Sequence, residues 1–268
     1  MNAPTNNVRP DYPRSAQSIP SVADKAGAYR LVFAASENDL DQIARLRFDV
    51  FNLEMQEGLN ESWRTCRDRD QYDAYCHHLM VVHAKTGEVV GTYRMQTYDM
   101  ATQGAGFYSD TEFQLQTLGT PFLTAAVELG RACIAHAHRN SRVLYLLWRG
   151  LAAYMQHNQQ RYFFGCCSLT SQDPSEGWHV MEYLRSKGLL HETLHVLPRP
   201  ELACFDDQFE PAPCLERVRL PRLMRMYMDY GARIAGDPVI DRQFKTIDYL
   251  AVFDMQRISS RVRRMFVD

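Results

Sequence analysis

The stretch Thr124-Ala125-Ala126-Val127-Glu128-Leu129-Gly130-Arg131-Ala132-Cys133-Ile134-Ala135 sets a carboxylate and a guanidinium inside an otherwise apolar run. Such a run reads as a strand buried in a sheet, where an ionised side chain is costly unless it acts or is held by a partner. Regular alternation puts Glu128 and Arg131, three positions apart, on opposite faces. Gly130 between them permits a bulge that turns both toward one cleft. Glu128 and Arg131 are therefore the candidate catalytic residues, with a purely structural ion pair as the alternative.

Downstream, the strand runs through His138-Arg139-Asn140-Ser141-Arg142 into a helix from about Arg142 to His157. Leu144, Leu147, Trp148, Leu151 and Met155 follow its helical period. Free N–H groups and the positive dipole end make such a start an anion site. Arg139, Ser141 and Arg142 are the candidate phosphate ligands; an ordinary capped helix with solvated arginines is the alternative. Tyr162–Leu169 reads as another buried strand. Asp173-Pro174-Ser175-Glu176 has the form of a helix start, and Gly188 marks that helix's end.

Upstream, Tyr29–Ala34 is a short strand, and Ser36 caps a helix running to about Phe51. Residues 52–76 are polar and irregular. Strands follow at Leu79–Ala84 and Val89–Tyr98, joined by Lys85-Thr86-Gly87 as a hairpin, with a loop over 99–121. Past an acidic, proline-rich loop (197–216), a helix begins near Pro221 and is broken at Gly236-Asp237-Pro238. The strand Ile247–Phe253 and a basic helix end the chain. Residues 1–27, with four prolines and no apolar period, read as a disordered arm. The remainder, 28–268, reads as a single α/β (α+β) domain with a mixed, mostly antiparallel central sheet flanked by helices, extended by helix and strand over about 217–268.

At 268 residues, with 46% hydrophobic and 23% charged residues and a formal charge of −2, the chain lacks the basic excess expected of a nucleic-acid binder. Seven cysteines, an odd number without a CxxC pair, fit buried thiols in a reducing compartment. No signal-peptide core and no apolar run near ~20 residues is present, so a cytoplasmic protein is expected. His77-His78 and the His136, His138 pair lack zinc-ligand spacing, so no metal is expected.

The Glu128 strand and the helix after it resemble the GNAT-type N-acyltransferase fold. Arg47, Phe51, Asp70, Asp73, Arg94, Glu128 and Arg131 occur in the order of the acyl-homoserine-lactone synthase signature. The tryptophan of that signature is replaced by Gln56-Glu57-Gly58, which speaks against a lactone product. Asp73-Ala74-Tyr75-Cys76-His77-His78-Leu79, Leu147-Trp148-Arg149-Gly150, Phe164-Gly165-Cys166-Cys167-Ser168-Leu169, Gly236-Asp237-Pro238-Val239-Ile240-Asp241 and Thr246-Ile247-Asp248 are more similar to the hemolysin-like N-acyltransferases, which include the ornithine N-acyltransferases of ornithine-lipid synthesis.

That resemblance implies transfer of a long-chain, often 3-hydroxylated, fatty acyl group from acyl carrier protein to the amine of an amino acid such as ornithine. It implies no tightly bound cofactor, only an acyl-phosphopantetheine thioester as donor. The absence of glycine between Gly130 and Gly150 agrees, because a coenzyme A pyrophosphate needs a glycine-rich cradle and a single phosphate does not. Glu128 is then the expected general base. Arg47, Phe51, Asp70, Asp73, His78 and Arg94 are the expected substrate-binding set. Arg94 or Arg131 would grip the acceptor's carboxylate, and Asp70 and Asp73 would either receive its cationic side chain or form ion pairs with Arg47 and Arg94. Met224, Met226 and Met228 read as plain core, with the lining of an acyl tunnel as the alternative. Arg257, Arg261, Arg263 and Arg264 face acidic carrier protein, an anionic membrane surface, or solvent. Coenzyme-A-dependent acylation of another amine, a lactone-forming synthase and a non-enzymatic acyl-binding regulator are the competing readings.

Overall fold

Alternating apolar residues around the Gly87 turn build a meander of strands, and that meander places every candidate residue. The computed structural model describes residues 12–206, 208–213 and 218–266. Among them are strands β1 (Lys25–Ala26), β2 (Tyr29–Phe33), β3 (His77–His83), β4 (Val89–Thr97), β5 (Ala126–Ile134), β6 (Tyr162–Leu169), β7 (Arg233–Ile234), β8 (Val239–Asp241) and β9 (Thr246–Asp254). One sheet joins them in the order β1-β2-β3-β4-β5-β6-β9-β7, with β8 also on β9. Only the β5–β6 ladder is parallel. The expected mixed, mostly antiparallel sheet is thus present.

Helices α1 (Glu37–Arg47), α2 (Ser62–Thr65), α3 (Tyr98–Gln103), α4 (Thr120–Leu123), α5 (Ser141–His157), α6 (Pro174–Ser186), α7 (Arg222–Tyr230) and α8 (Ser260–Phe266) flank it. On one face α5, α6, α7 and α8 bury Leu146, Leu151, Leu184, Met224, Met228 and Phe266 against Leu79, Val127, Phe163 and Tyr249. Each such side chain contributes about 1.5–3 kcal/mol of burial. The Tyr93 and Tyr227 hydroxyls, 2.6 Å apart, tie α7 to β4. On the opposite face α1 packs Leu40, Ile43 and Leu46 on Met80 and Val82. Farther along that face, Phe107, Phe113 and Phe122 pack on Phe164, Leu250 and Val252. The polar side chains described below lie between these two apolar patches. Met224 and Met228 are core on the other face.

Several expectations are corrected. Residues 1–11 of the presumed disordered arm lie outside the described residues, whereas 12–27 are pinned to the domain. His77 Nε2 donates to the Arg14 carbonyl (2.7 Å), the Asn158 amide donates to the Ser18 carbonyl (2.9 Å), and β1 pairs β2. Single side chains anchor this segment, so no periodicity announces it. Beyond α1 the chain widens into a π-helical stretch, Phe48–Glu54. The segment 99–121 is largely short helical turns rather than loop. Helix α7 ends at Tyr230, capped by Gly231 at φ 111°, before the Gly236-Asp237-Pro238 break.

Candidate active site

The β4–β5 ladder contains the expected bulge, one residue later than Gly130. Its register slips between Thr92↔Cys133 and Arg94↔Gly130, and Arg131 takes the left-handed φ of 52°. The slip sends the Arg131 guanidinium to the Asp68 carboxylate. It lies between the Phe51 and Phe244 rings, 4.9 and 4.7 Å from their centroids. Glu128 and Arg131 do not bond each other.

Arg131 ends a buried chain of ion pairs on the α1 face. Arg47 donates to Asp68 (2.9 Å) and Asp73 (2.8 Å), and Arg94 donates to Asp70 (2.6 Å) and Asp73 (2.9 Å). His78 Nε2 lies 3.3 Å from Asp73, and its Nδ1 bonds the Tyr12 hydroxyl at 3.0 Å. Three carboxylates thus meet three guanidiniums. Burial alone would push the Asp73 carboxyl up, but Arg47, His78 and Arg94 hold it well below the usual range. Burial likewise opposes the charge on Arg94, and Asp70 and Asp73 more than restore it. Burial lowers His78. Asp70 also accepts from the Tyr72 and Asp73 N–H groups, ordering the 70–75 turn. In this state Asp70 and Asp73 are committed to arginine, the loop-ordering alternative.

Glu128 projects from the same face as Arg94, directly across from Gln96. Its Oε2 accepts from the Tyr108 N–H (2.9 Å) and its Oε1 from the Ser109 N–H (2.7 Å). Burial raises its pKa, while those N–H groups, the Ser109 side chain and Arg94 pull it back. Each oxygen keeps a second lone pair. Gln96, 1% exposed, has no partner for either amide atom among the described residues. Strands β5 and β6 pair only from Ala126↔Tyr162 to Glu128↔Phe164. Beyond Glu128, β5 bonds β4 alone and β6 bonds β9 alone, so backbone groups along the inner edges are released. Gly165 sits at the parting, where a Cβ would come within 2.1 Å of the Leu129 carbonyl oxygen. The Thr170 hydroxyl donates to Glu57 across the far end.

The expected phosphate ligands start α5. Asn140 Oδ1 caps the helix, accepting from the Arg142 and Val143 N–H groups at 3.0 and 3.2 Å. Both Arg139 terminal nitrogens bond Glu54. Arg142 lies beside Gly27, and Ser141 opens the first turn. A phosphate here would share the start of α5 with these partners.

The acetyltransferase (GNAT) domain pattern matches residues 46–149. An L-ornithine N(alpha)-acyltransferase of Rhizobium meliloti (strain 1021) is 34% identical over 245 residues, covering 87% of this chain and 81% of its own. Another, from Agrobacterium fabrum (strain C58 / ATCC 33970), is 30% identical over 93% of this chain and 89% of its own. The chain belongs to this family of L-ornithine Nα-acyltransferases. Among solved structures it resembles FeeM, an N-acyl amino acid synthase from uncultured soil microbes, with TM-score 0.49 and 10% identity over 89% of this chain and 96% of that one. It also resembles the acyl-homoserine-lactone synthase LasI, with TM-score 0.47 and 12% identity over 89% and 93% of the two chains.

The structure of this acyltransferase brings Arg47, Phe51, Asp70, Asp73, His78, Arg94 and Arg131 into one network and leaves Arg139, Ser141 and Arg142 at the start of α5. Sequence reasoning missed Asp68, Gln96, Tyr108, Ser109 and Phe244. Gln96 carried a signal, a polar residue at an inward position of a strand. Asp68, Ser109 and Phe244 lie in segments without periodicity and carried none. No helix among the described residues is long and apolar enough to cross a membrane.

Proposed function

We propose that this acyltransferase moves a long-chain fatty acyl group from the phosphopantetheine thioester of acyl carrier protein to the α-amine of ornithine. The observation that carries the reading is the buried Glu128 carboxyl, held by two N–H groups at the point where β5 and β6 part. The acceptor enters as an α-ammonium, and Glu128 takes its proton directly or through one water. The amine attacks the thioester carbonyl, the C–N bond forms, and collapse of the tetrahedral adduct breaks the C–S bond. The second proton lost by the adduct's nitrogen goes to the leaving thiolate, and the products are an N-acyl amino acid and the free thiol of the carrier arm. Backbone N–H groups released at the β5 bulge are the donors for the oxyanion. Arg131 Nε, without a partner among the described residues, is the free donor for the acceptor's carboxylate. The phosphate of the carrier arm meets Arg139, Ser141 and Arg142 at the start of α5, with Arg139 exchanging Glu54 for it.

The curated names of the relatives support ornithine as acceptor. The exposed arginines of α8, Arg261, Arg263 and Arg264, suit an acidic carrier protein or an anionic membrane surface. The test incubates purified protein with an amino-acid mixture and one donor at a time: acyl carrier protein bearing a plain or 3-hydroxylated long chain, or the matching coenzyme A thioester. Mass analysis should find N-acylornithine with the carrier-protein donor and little with coenzyme A. A product on another amine, or equal use of both donors, would refute the corresponding half of the proposal.

A further inference from the structure

One side of the Glu128 neighbourhood is charge-balanced and the other is not. Toward β3, three carboxylates face three guanidiniums. Toward β9, on the same face of the sheet, Glu112, Cys166 and Asp248 bring ligand atoms within 4.8 Å of one another. Glu112 and Asp248 are 3% and 4% exposed, and Glu112 Oε1 and Asp248 Oδ1 each lack any partner among the described residues. The charges acting most strongly on this pair are negative: those of Asp248 and Asp241 on Glu112, and those of Asp241 and Glu57 on Asp248. Burying two carboxyls with orphaned oxygens and no ion pair among the described residues is expensive. A ligand that brings a positive charge removes that cost.

The cluster is also directly connected to the reacting end of the site. Tyr108 gives its N–H to Glu128 and its hydroxyl to Asp241 (3.2 Å), beside Glu112. Ser109 gives its N–H to Glu128, and its Oγ lies 3.4 Å from Cys166 Sγ, which in turn lies 3.2 Å from Glu112 Oε2. One residue's span therefore separates the candidate base from the acids. Gln96, with both amide atoms unpartnered, flanks Glu128 from the other side.

We infer that Glu112 and Asp248, with Cys166 and the Tyr108 hydroxyl beside them, form the pocket for the side-chain ammonium of the acceptor amino acid. The inference rests on the proposed acylation of ornithine and names the residues that select it. Asp70 and Asp73, already spent on Arg47 and Arg94, are released from that role. A divalent metal fits the same three side chains less well, because the thiol is held protonated by burial and histidine is missing from the set.

The test compares ornithine with norleucine, its uncharged isostere, as acceptors for wild type, Glu112→Gln and Asp248→Asn. The quantity read is the ratio of the two kcat/KM values, in which any loss of folded or active enzyme cancels. Each variant should lower the ornithine preference about tenfold or more, the effect of losing one buried charged hydrogen bond. Thermal stabilisation by ornithine over norleucine should shrink in parallel, a readout that needs no turnover. A preference kept within twofold in both variants overturns the inference, as does stoichiometric bound zinc whose removal abolishes activity. A wild type that shows no preference for ornithine over norleucine would instead refute the functional reading beneath it.

Discussion

At the scale of single residues, Glu128 has two jobs that one substitution separates. Its oxygens hold the Tyr108 and Ser109 N–H groups, and its buried carboxyl is the candidate base. Glu128→Gln keeps one acceptor and the volume, so the loss of stability should stay near 1–3 kcal/mol, about one unsatisfied N–H. Turnover should fall by about 10²–10⁴. The rate of the wild type should rise with pH through a carboxyl raised by burial, and the variant should lose that limb. Turnover within tenfold of wild type would remove Glu128 from catalysis. Gln96 predicts the opposite trade. Its buried amide has no partner among the described residues and costs free energy, so Gln96→Leu should leave the melting temperature unchanged or raised while lowering kcat/KM. A destabilised variant of normal activity would mean that the amide is structural.

Between elements, the polar network welds α1, the 66–75 segment and β4 together, and its strength comes from completeness. Asp73→Asn would leave Arg47 and Arg94 sharing too few acceptors in a buried site. That should cost about 3–5 kcal/mol, visible as a lower urea midpoint at unchanged m-value. A cost below about 1 kcal/mol would mean water already screens these pairs. How far such elements can be read beforehand depends on what specifies them. Helix α5 and strand β6 lie within a residue of their expected bounds because apolar period and flanking turns define both. The bulge was legible as an opportunity at Gly130, but the strained φ fell on Arg131, whose side chain is held by Asp68 and two rings. Strands β7 and β8 are too short to show alternation. Asp248 sits in a stretch that reads simply as a buried strand. Nothing local says that Glu112, 136 positions earlier, ends beside it.

Across the whole molecule, the unbalanced acids should set the pH dependence of stability. Burial raises Asp248 from 3.8 to about 7, with Asp241 and Glu57 pushing the same way and the nearby Ser168 and Thr246 opposing. An acid whose folded value lies above its unfolded one keeps a proton that the unfolded chain has already lost. Its favourable contribution is therefore full below about pH 4 and disappears as pH rises through about 7. The gap corresponds to roughly 4 kcal/mol at most, reduced by whatever Glu112 shares of the same proton. Asp248→Asn removes the titration without changing the shape. The variant should melt higher than wild type at pH 8, and that advantage should shrink or reverse by pH 5. Ornithine at saturating concentration should cancel the advantage at pH 8 by pairing its side-chain ammonium with Asp248 in the wild type. Equal melting differences at both pH values would show that Asp248 is ionised and satisfied in the folded chain, and the acid cluster would need no ligand to balance it.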